Sequence, residues 1–275
     1  MRQEIEFVKC NPTQNMTVLV QTDHGDRNYE TIATQIMSYD SIHAEQVGFI
    51  EQPTGSAAAY LHMAGGEFCG NACMSLAAYI VSKKGIGFSE EGRIILESSG
   101  TEQLIDCLVM RNGDLYTCEL NMPIPHHIEP KTIHIGGQDY ACFLVRYGDS
   151  IHLIMEIDEI SESIRNSAQM TAQLMGLAGH HKLIGILLYE PENYRMTPLI
   201  HVPKLGSMIW ERGCGSGTAS IGAYLAWRNN TNVDIEVIQP GGLIKVHATY
   251  NNGLTSVAIK GNVEIVAEGR AYIDG

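Results

Sequence analysis

Two stretches of the chain, FCGNACMSLAAY (68–79) and GCGSGTASIGAY (213–224), align without a gap. From the cysteine onward they share Cys69/Cys214, Gly70/Gly215, Ser75/Ser220, Ala78/Ala223 and Tyr79/Tyr224. The aligned cysteines stand 145 residues apart in a chain of 275, so the duplication has room to account for most of the molecule. Each stretch reads as a helix starting at its cysteine. The first runs out at Lys83, Lys84 and Gly85 and the second at Arg228, Asn229 and Asn230, which are cations and turn-prone residues suited to helix C-termini. The following segments repeat too: RIILES, QLIDCLVM, an Asn112-Gly113 turn and LYTCEL in one half, DIEVIQ, LIKVHATY, an Asn252-Gly253 turn and LTSVAIK in the other. Asn-Gly between alternating strands is a strong hairpin signal. Two halves on one plan predict two similar αβ domains, with a pseudo-two-fold that brings the helix N-termini to face each other across a cleft.

The opening reads as strand (Ile5, Phe7), loop (NPTQN) and strand (MTVLV), followed by Tyr29, Ile32, Ala33, Ile36 and Met37 at helical spacing. In NMPIPHHIEP (121–130) three prolines fall within ten residues, where neither a helix nor a central strand can continue. The domain boundary is expected there, giving an N-terminal domain of 1–122 plus 268–275 and a C-terminal domain of 123–267. A net charge of −13 leaves no basic stripe for nucleic acid. MRQEIEFVKC lacks the apolar core of a signal peptide, and no apolar run reaches membrane-spanning length, so a cytoplasmic protein without membrane attachment is expected. Seven cysteines without framework spacing suit reduced thiols.

A cysteine in the first turn of a helix sits at the positive end of the helix dipole, which lowers a thiol pKa from roughly 8.5 toward neutrality. The small residues that follow, Gly70-Asn71-Ala72 and Gly215-Ser216-Gly217, leave backbone N–H groups open to a carboxylate. Base and substrate can therefore share one spot. Inverting a stereocentre without a cofactor requires one group to take a proton from one face and another to deliver one to the opposite face, and Cys69 and Cys214 are the candidates.

Simpler readings exist. Cysteines are most often buried small hydrophobes, but two at equivalent helix starts, each followed by glycine, argue against packing alone. Cys69, Cys73 and His62 have permissible zinc spacing, yet no second ligand pair accompanies them. No metal and no other cofactor is expected. AGG (64–66) and PGG (240–242) continue into no phosphate-binding pattern and read as turns. A non-catalytic carboxylate clamp has no use for thiols over hydroxyls.

At EFCGN (67–71) and WERGCGSG (210–217) the chain resembles the diaminopimelate epimerase superfamily. The likeness extends to Asn15, to Gln46, to His152 near a G-N-P-H histidine, and to QPGG (239–242) against L-P-G-G. It implies an α+β fold of two similar domains, each a curved, mostly antiparallel sheet around a central helix, with the last strand returning to the first domain and the active site in the cleft between them. It also implies substrate contacts at Asn15, Gln46, Gly70, Asn71, His152, Glu211, Gly215 and Ser216, a homodimer, and a cysteine pair that needs neither pyridoxal phosphate nor metal. Met63 and Leu183 stand where diaminopimelate epimerases carry asparagines, the segments before both cysteines are shorter, and Arg212 lies only two residues from Cys214. A smaller, singly zwitterionic amino acid is therefore expected as substrate. EFCGNA, W-E-x-x-C-G-S-G-T-A-S-I-G and HAEQVGFIE are similar to the histidine racemases of staphylopine-type opine metallophore pathways. That likeness implies L-histidine/D-histidine interconversion, with diaminopimelate epimerisation as the alternative. On this reading Glu45 is either a contact for the imidazole or amine, or a solvated strand end. His152 is either a substrate-positioning group or a satisfied core histidine.

Overall fold

A helix that is apolar on every side needs an enclosing sheet, and each half of the chain supplies one. The computed structural model describes residues 2–22, 28–85, 87, 90–135 and 137–274. The chain divides into unit 1, Met1–Asn121 with Lys260–Gly275, and unit 2, Met122–Ile259. The elements up to Asn121 are β1 (Arg2–Pro12), β2 (Thr17–Val20), α1 (Tyr29–Met37), β3 (Gln46–Glu51), β4 (Ala59–Met63), α2 (Gly70–Lys84), β5 (Glu91–Ser98), β6 (Ile105–Asn112) and β7 (Leu115–Asn121). Then come β8 (His127–Ile135), β9 (Gln138–Tyr147), β10 (Ser150–Glu156), α3 (Glu162–Ala178), β11 (Leu183–Glu190), β12 (Arg195–Val202), β13 (Ser207–Trp210), α4 (Gly215–Asn229), β14 (Val233–Gln239), β15 (Gly242–Tyr250) and β16 (Leu254–Asp274).

In unit 1 the strands run β1-β2-β3-β4-β5-β6-β7-β16, and β16 pairs back onto β1 from Pro12↔Val263 to Arg2↔Asp274, so the sheet closes. Inside lies α2, whose residues 70–79 are all buried. Burying a side chain such as Leu76 contributes about 1.5–3 kcal/mol, and this enclosed helix is the core of the unit. α1 covers the other face of β3, where Tyr29 stacks on Phe49 at 4.0 Å and donates a hydrogen bond to Glu51 at 2.5 Å. In unit 2 the order is β8-β9-β10-β11-β12-β14-β15-β16. The expectation that 121–130 cannot hold a central strand agrees with β8 lying at the end of this order, with Pro130 opposite Phe143. α3, which the sequence reading did not identify, is capped by the Ser161 side chain and packs Ile164, Ala168 and Ala172 onto Ile184, Ile186 and Leu199.

The duplication extends to topology. Parallel strands require a crossover, and helices supply it: α1 between β2 and β3, α2 between β4 and β5, α3 between β10 and β11, and α4 between β12 and β14. The helices end as expected, with Gly85 and Asn230 in left-handed conformation at φ 67° and 52°. The repeated tyrosines have equivalent partners as well. Tyr79 and Lys83 share Glu268, while Tyr224 and Arg228 share Glu156. At Gly222 the α4 backbone lies so close to β15 that a Cβ would stand 2.4 Å from a Val246 methyl. Among the described residues no helix is long and apolar enough to cross a membrane.

Candidate active site

In unit 1 the site is built on the N-terminus of α2. Cys69 is the N-cap, in extended conformation, and its sulfur accepts the Ala72 N–H at 3.4 Å. Its thiol donates to Oε1 of Gln46, the first residue of β3, at 2.6 Å. The segment before the cysteine is braced by Ser99, whose hydroxyl donates to the Glu67 carbonyl at 2.7 Å and accepts the Met63 N–H at 2.9 Å. Gly100 follows with φ 75°, where a Cβ would lie 2.2 Å from the Phe68 nitrogen.

The NPTQN loop turns through two non-glycine residues in left-handed conformation, Thr13 (φ 52°) and Gln14 (φ 60°). The Gln14 N–H is held by the Asn11 side chain at 2.7 Å. The turn delivers Asn15, which is fully buried, and the Met16 carbonyl then accepts the Glu45 N–H at 2.8 Å. Asn15, Glu45, Gln46 and Cys69 are thus tied together by hydrogen bonds along neighbouring segments, with buried Gly70 and Asn71 forming the first turn of α2. Glu45 is half-buried, and its backbone is held to that of Met16.

In unit 2 the N-terminus of α4 repeats the arrangement. Cys214 is the N-cap, its sulfur accepts the Gly217 N–H at 3.3 Å, and the Ser216 hydroxyl lies 3.5 Å away. Gly215 and Glu211 are buried and Ser216 is half-buried. The expected lowering of the thiol pKa does not hold at Cys214. Burial pushes it well up, and the charge of Glu211 and its hydrogen bond to the thiol add to the effect, outweighing Ser216 and the Gly217 N–H. The helix N-terminus is present, but desolvation is larger, so Cys214 is a neutral thiol.

His152, on β10, is buried with Nδ1 2.6 Å from the Ser220 hydroxyl, which also meets the Tyr147 hydroxyl at 2.7 Å. Burial lowers its imidazole to about 4, so it is neutral at physiological pH. Its partner is therefore on the second turn of α4. Arg212 is exposed, with a guanidinium nitrogen 3.4 Å from the Pro240 carbonyl. Met63 and Leu183 are buried in their own units.

The sequence reading missed the groups that brace the cysteines, Ser99 and Gly100 in unit 1 and Thr218 and Gln239 in unit 2, and the Ser220 and Tyr147 hydroxyls that hold His152. For Gln239 a signal was available, a polar residue in QPGG where the resembled superfamily has leucine. Chemically, each helix start offers one thiol and the N–H groups of its first turn, enough to hold a carboxylate and move one proton.

The sequence profile of the family described as "Histidine racemase CntK N-terminal domain" matches residues 4–272. A histidine racemase from Staphylococcus aureus is 35% identical over 99% of this chain and 99% of its own length. A diaminopimelate epimerase from Xylella fastidiosa is 25% identical over 84% of this chain and 83% of its own. Among solved structures, a hydroxyproline epimerase from Agrobacterium vitis with bound trans-4-hydroxy-L-proline has the same fold, with a TM-score of 0.71 at 11% identity, over 100% of this chain and 95% of that one.

Proposed function

Since the chain belongs to the histidine racemase family, we propose that it interconverts L- and D-histidine without pyridoxal phosphate or metal, using Cys69 and Cys214 as proton carriers on opposite faces of the α-carbon. The observation that carries this reading is the repeated cap: in each unit a cysteine sulfur replaces the usual oxygen at a helix N-terminus and accepts the N–H three residues on.

One cysteine, as thiolate, takes the α-proton. Electron density moves into the carboxylate, whose oxygens receive N–H groups from the first turns at Gly70, Asn71, Gly215 and Ser216. The other cysteine, as thiol, delivers its proton to the opposite face, and the protonation states of the two sulfurs are exchanged at the end of the turnover. Glu211 accepts a hydrogen bond from the Cys214 thiol and is suited to hold the substrate ammonium. That cation favours the thiolate that burial and Glu211 oppose. Asn15 and Gln46 fix the amino-acid head beside Cys69. Glu45 faces the imidazole, and His152 acts through Ser220 on α4.

The test is incubation of L-histidine in deuterated water, following optical rotation and deuterium at Cα for the parent protein and for Cys69→Ala and Cys214→Ala. The parent should yield racemic, deuterated histidine. Either alanine variant retaining more than about a hundredth of the parental racemisation rate contradicts the paired assignment. Faster turnover of diaminopimelate than of histidine leaves the mechanism and overturns the substrate.

A further inference from the structure

An N-cap side chain normally accepts an N–H from the first turn, and the cap residue's own N–H is then satisfied by a Glu or Gln at the third helical position. At α4 that position is Gly217, which has no side chain to offer. The acceptor comes from elsewhere. Gln239, the last residue of β14 and 25 residues away, is buried and accepts the Cys214 N–H at 2.7 Å through Oε1. Its Nε2 donates to the Thr218 hydroxyl at 2.9 Å, and that hydroxyl donates to the Cys214 carbonyl at 2.7 Å. The three bonds form a closed circuit through both backbone polar groups of Cys214. The turn after β14 adds a further tie, the Gly241 N–H donating to the Arg212 carbonyl at 2.6 Å.

We propose that Gln239 and Thr218 are a positioning pair that sets the orientation and reactivity of the Cys214 thiol. A sulfur at an N-cap is aimed by the backbone conformation of its own residue, since the Gly217 N–H meets it only while Cys214 stays extended at φ −125° and ψ 108°. A buried amide satisfied at both ends resists rotation of the peptide before Cys214, because turning that peptide leaves two polar groups unpaired. The equivalent positions in unit 1 are Ser98, which ends β5, and Cys73, four residues after Cys69; their side chains meet at 3.8 Å and contain no amide. An amide at these positions is therefore found beside one thiol of the two.

The catalytic part of this role rests on the reading of Cys214 as a proton carrier, so the experiment separates the two. In Gln239→Leu, kcat for L-histidine should fall about a hundredfold, the scale of a misplaced reacting group, with KM little changed. Iodoacetamide should alkylate Cys214 at least several-fold more slowly relative to Cys69 in the same molecule, as read by peptide mapping. Gln239→Glu keeps the acceptor but adds charge, and should move alkylation of Cys214 to higher pH while leaving that of Cys69 unchanged. Thr218→Val should resemble Gln239→Leu, and Thr218→Ser should restore near-parental values. Parental kcat and an unchanged alkylation ratio in Gln239→Leu overturn the proposal even where Cys214→Ala is inactive. Racemisation by Cys214→Ala overturns the proton-carrier reading instead, and the alkylation ratio still decides the positioning role. If Gln239→Leu does not fold, Gln239→Glu decides: a Cys214 alkylation profile that stays at the parental pH overturns the proposal.

Discussion

The Cys69 thiol donates to Oε1 of Gln46 at 2.6 Å, although 23 residues separate the two in the chain. The acceptor sits at the start of β3, where the Met16 carbonyl also anchors the backbone of Glu45. A neutral amide in that place accepts the thiol hydrogen without adding charge. Gln46→Leu is expected to lower kcat/KM for histidine by about 10²-fold, with the urea midpoint little changed. Gln46→Glu places a carboxylate against the sulfur and should shift the pH–rate profile to higher pH. A leucine variant with parental kcat/KM removes Gln46 from the site.

Gly100 is the structural counterpart of that contact, because it lets the chain ahead of Cys69 lie against the end of β5. Any Cβ there meets the Phe68 backbone at 2.2 Å, and φ is already 75°. Gly100→Ala should lose about 2 kcal/mol or more in denaturant unfolding and lower activity beyond the loss of folded protein. Parental stability in this variant means that the Glu67–Phe68 strap moves freely.

Which parts of this arrangement were legible in advance depended on distance along the chain. The caps at Cys69 and Cys214, the exits at Gly85 and Asn230 and the hairpin at Asn252-Gly253 follow from local rules, and the structure has them, while the other hairpin turns one residue later than expected, at Gly113-Asp114, with Asn112 paired to Leu115. α3 was not read: its buried stripe, Ile164, Ala168 and Ala172, is narrow and mostly alanine, so its apolar period is faint. The dipole argument for the thiols also used only local information. Burial comes from strands far away in sequence, and at Cys214 it reversed the sign. Ser99 was invisible for the same reason, since its partners lie 32 or more residues off, and at Gln239 the polar residue in QPGG signalled a role without revealing its partner 25 residues away.

His152 makes stability depend on pH. Its folded pKa is lowered to about 4 by burial, below the usual value near 6.5, so between those values the unfolded chain binds the extra proton. Stability from this group is complete above about pH 6.5 and is lost as pH falls toward 4, a change of about 3 kcal/mol. Urea titrations across that window should show the slope in the parent and a smaller one in His152→Gln. Equal slopes assign the acid sensitivity to other groups.

The remaining thiols should be silent. Burial pushes Cys10, Cys73 and Cys142 up to about 12, and Cys107 and Cys118 are raised in the same way. A native thiol titration near pH 8 should therefore leave these five unlabelled, and all seven should react in denaturant. Prompt native labelling of Cys73 or Cys118 means that unit 1 opens far more readily than its closed sheet implies.

The pairing of β1 with β16 sets an order of events during synthesis. The strand that completes the ladder of Arg2–Pro12, 263–274, is made roughly 250 residues after it. At 5–20 residues per second, that interval is on the order of ten to fifty seconds. Throughout it the sheet around α2 lacks a stave, and the apolar helix that carries Cys69 has an open seam. Unit 2, Met122–Ile259, is continuous in the chain and can condense before unit 1 is finished. A nascent chain stalled before 263 should accordingly present a protease-sensitive, chaperone-binding first half beside an already protected second one.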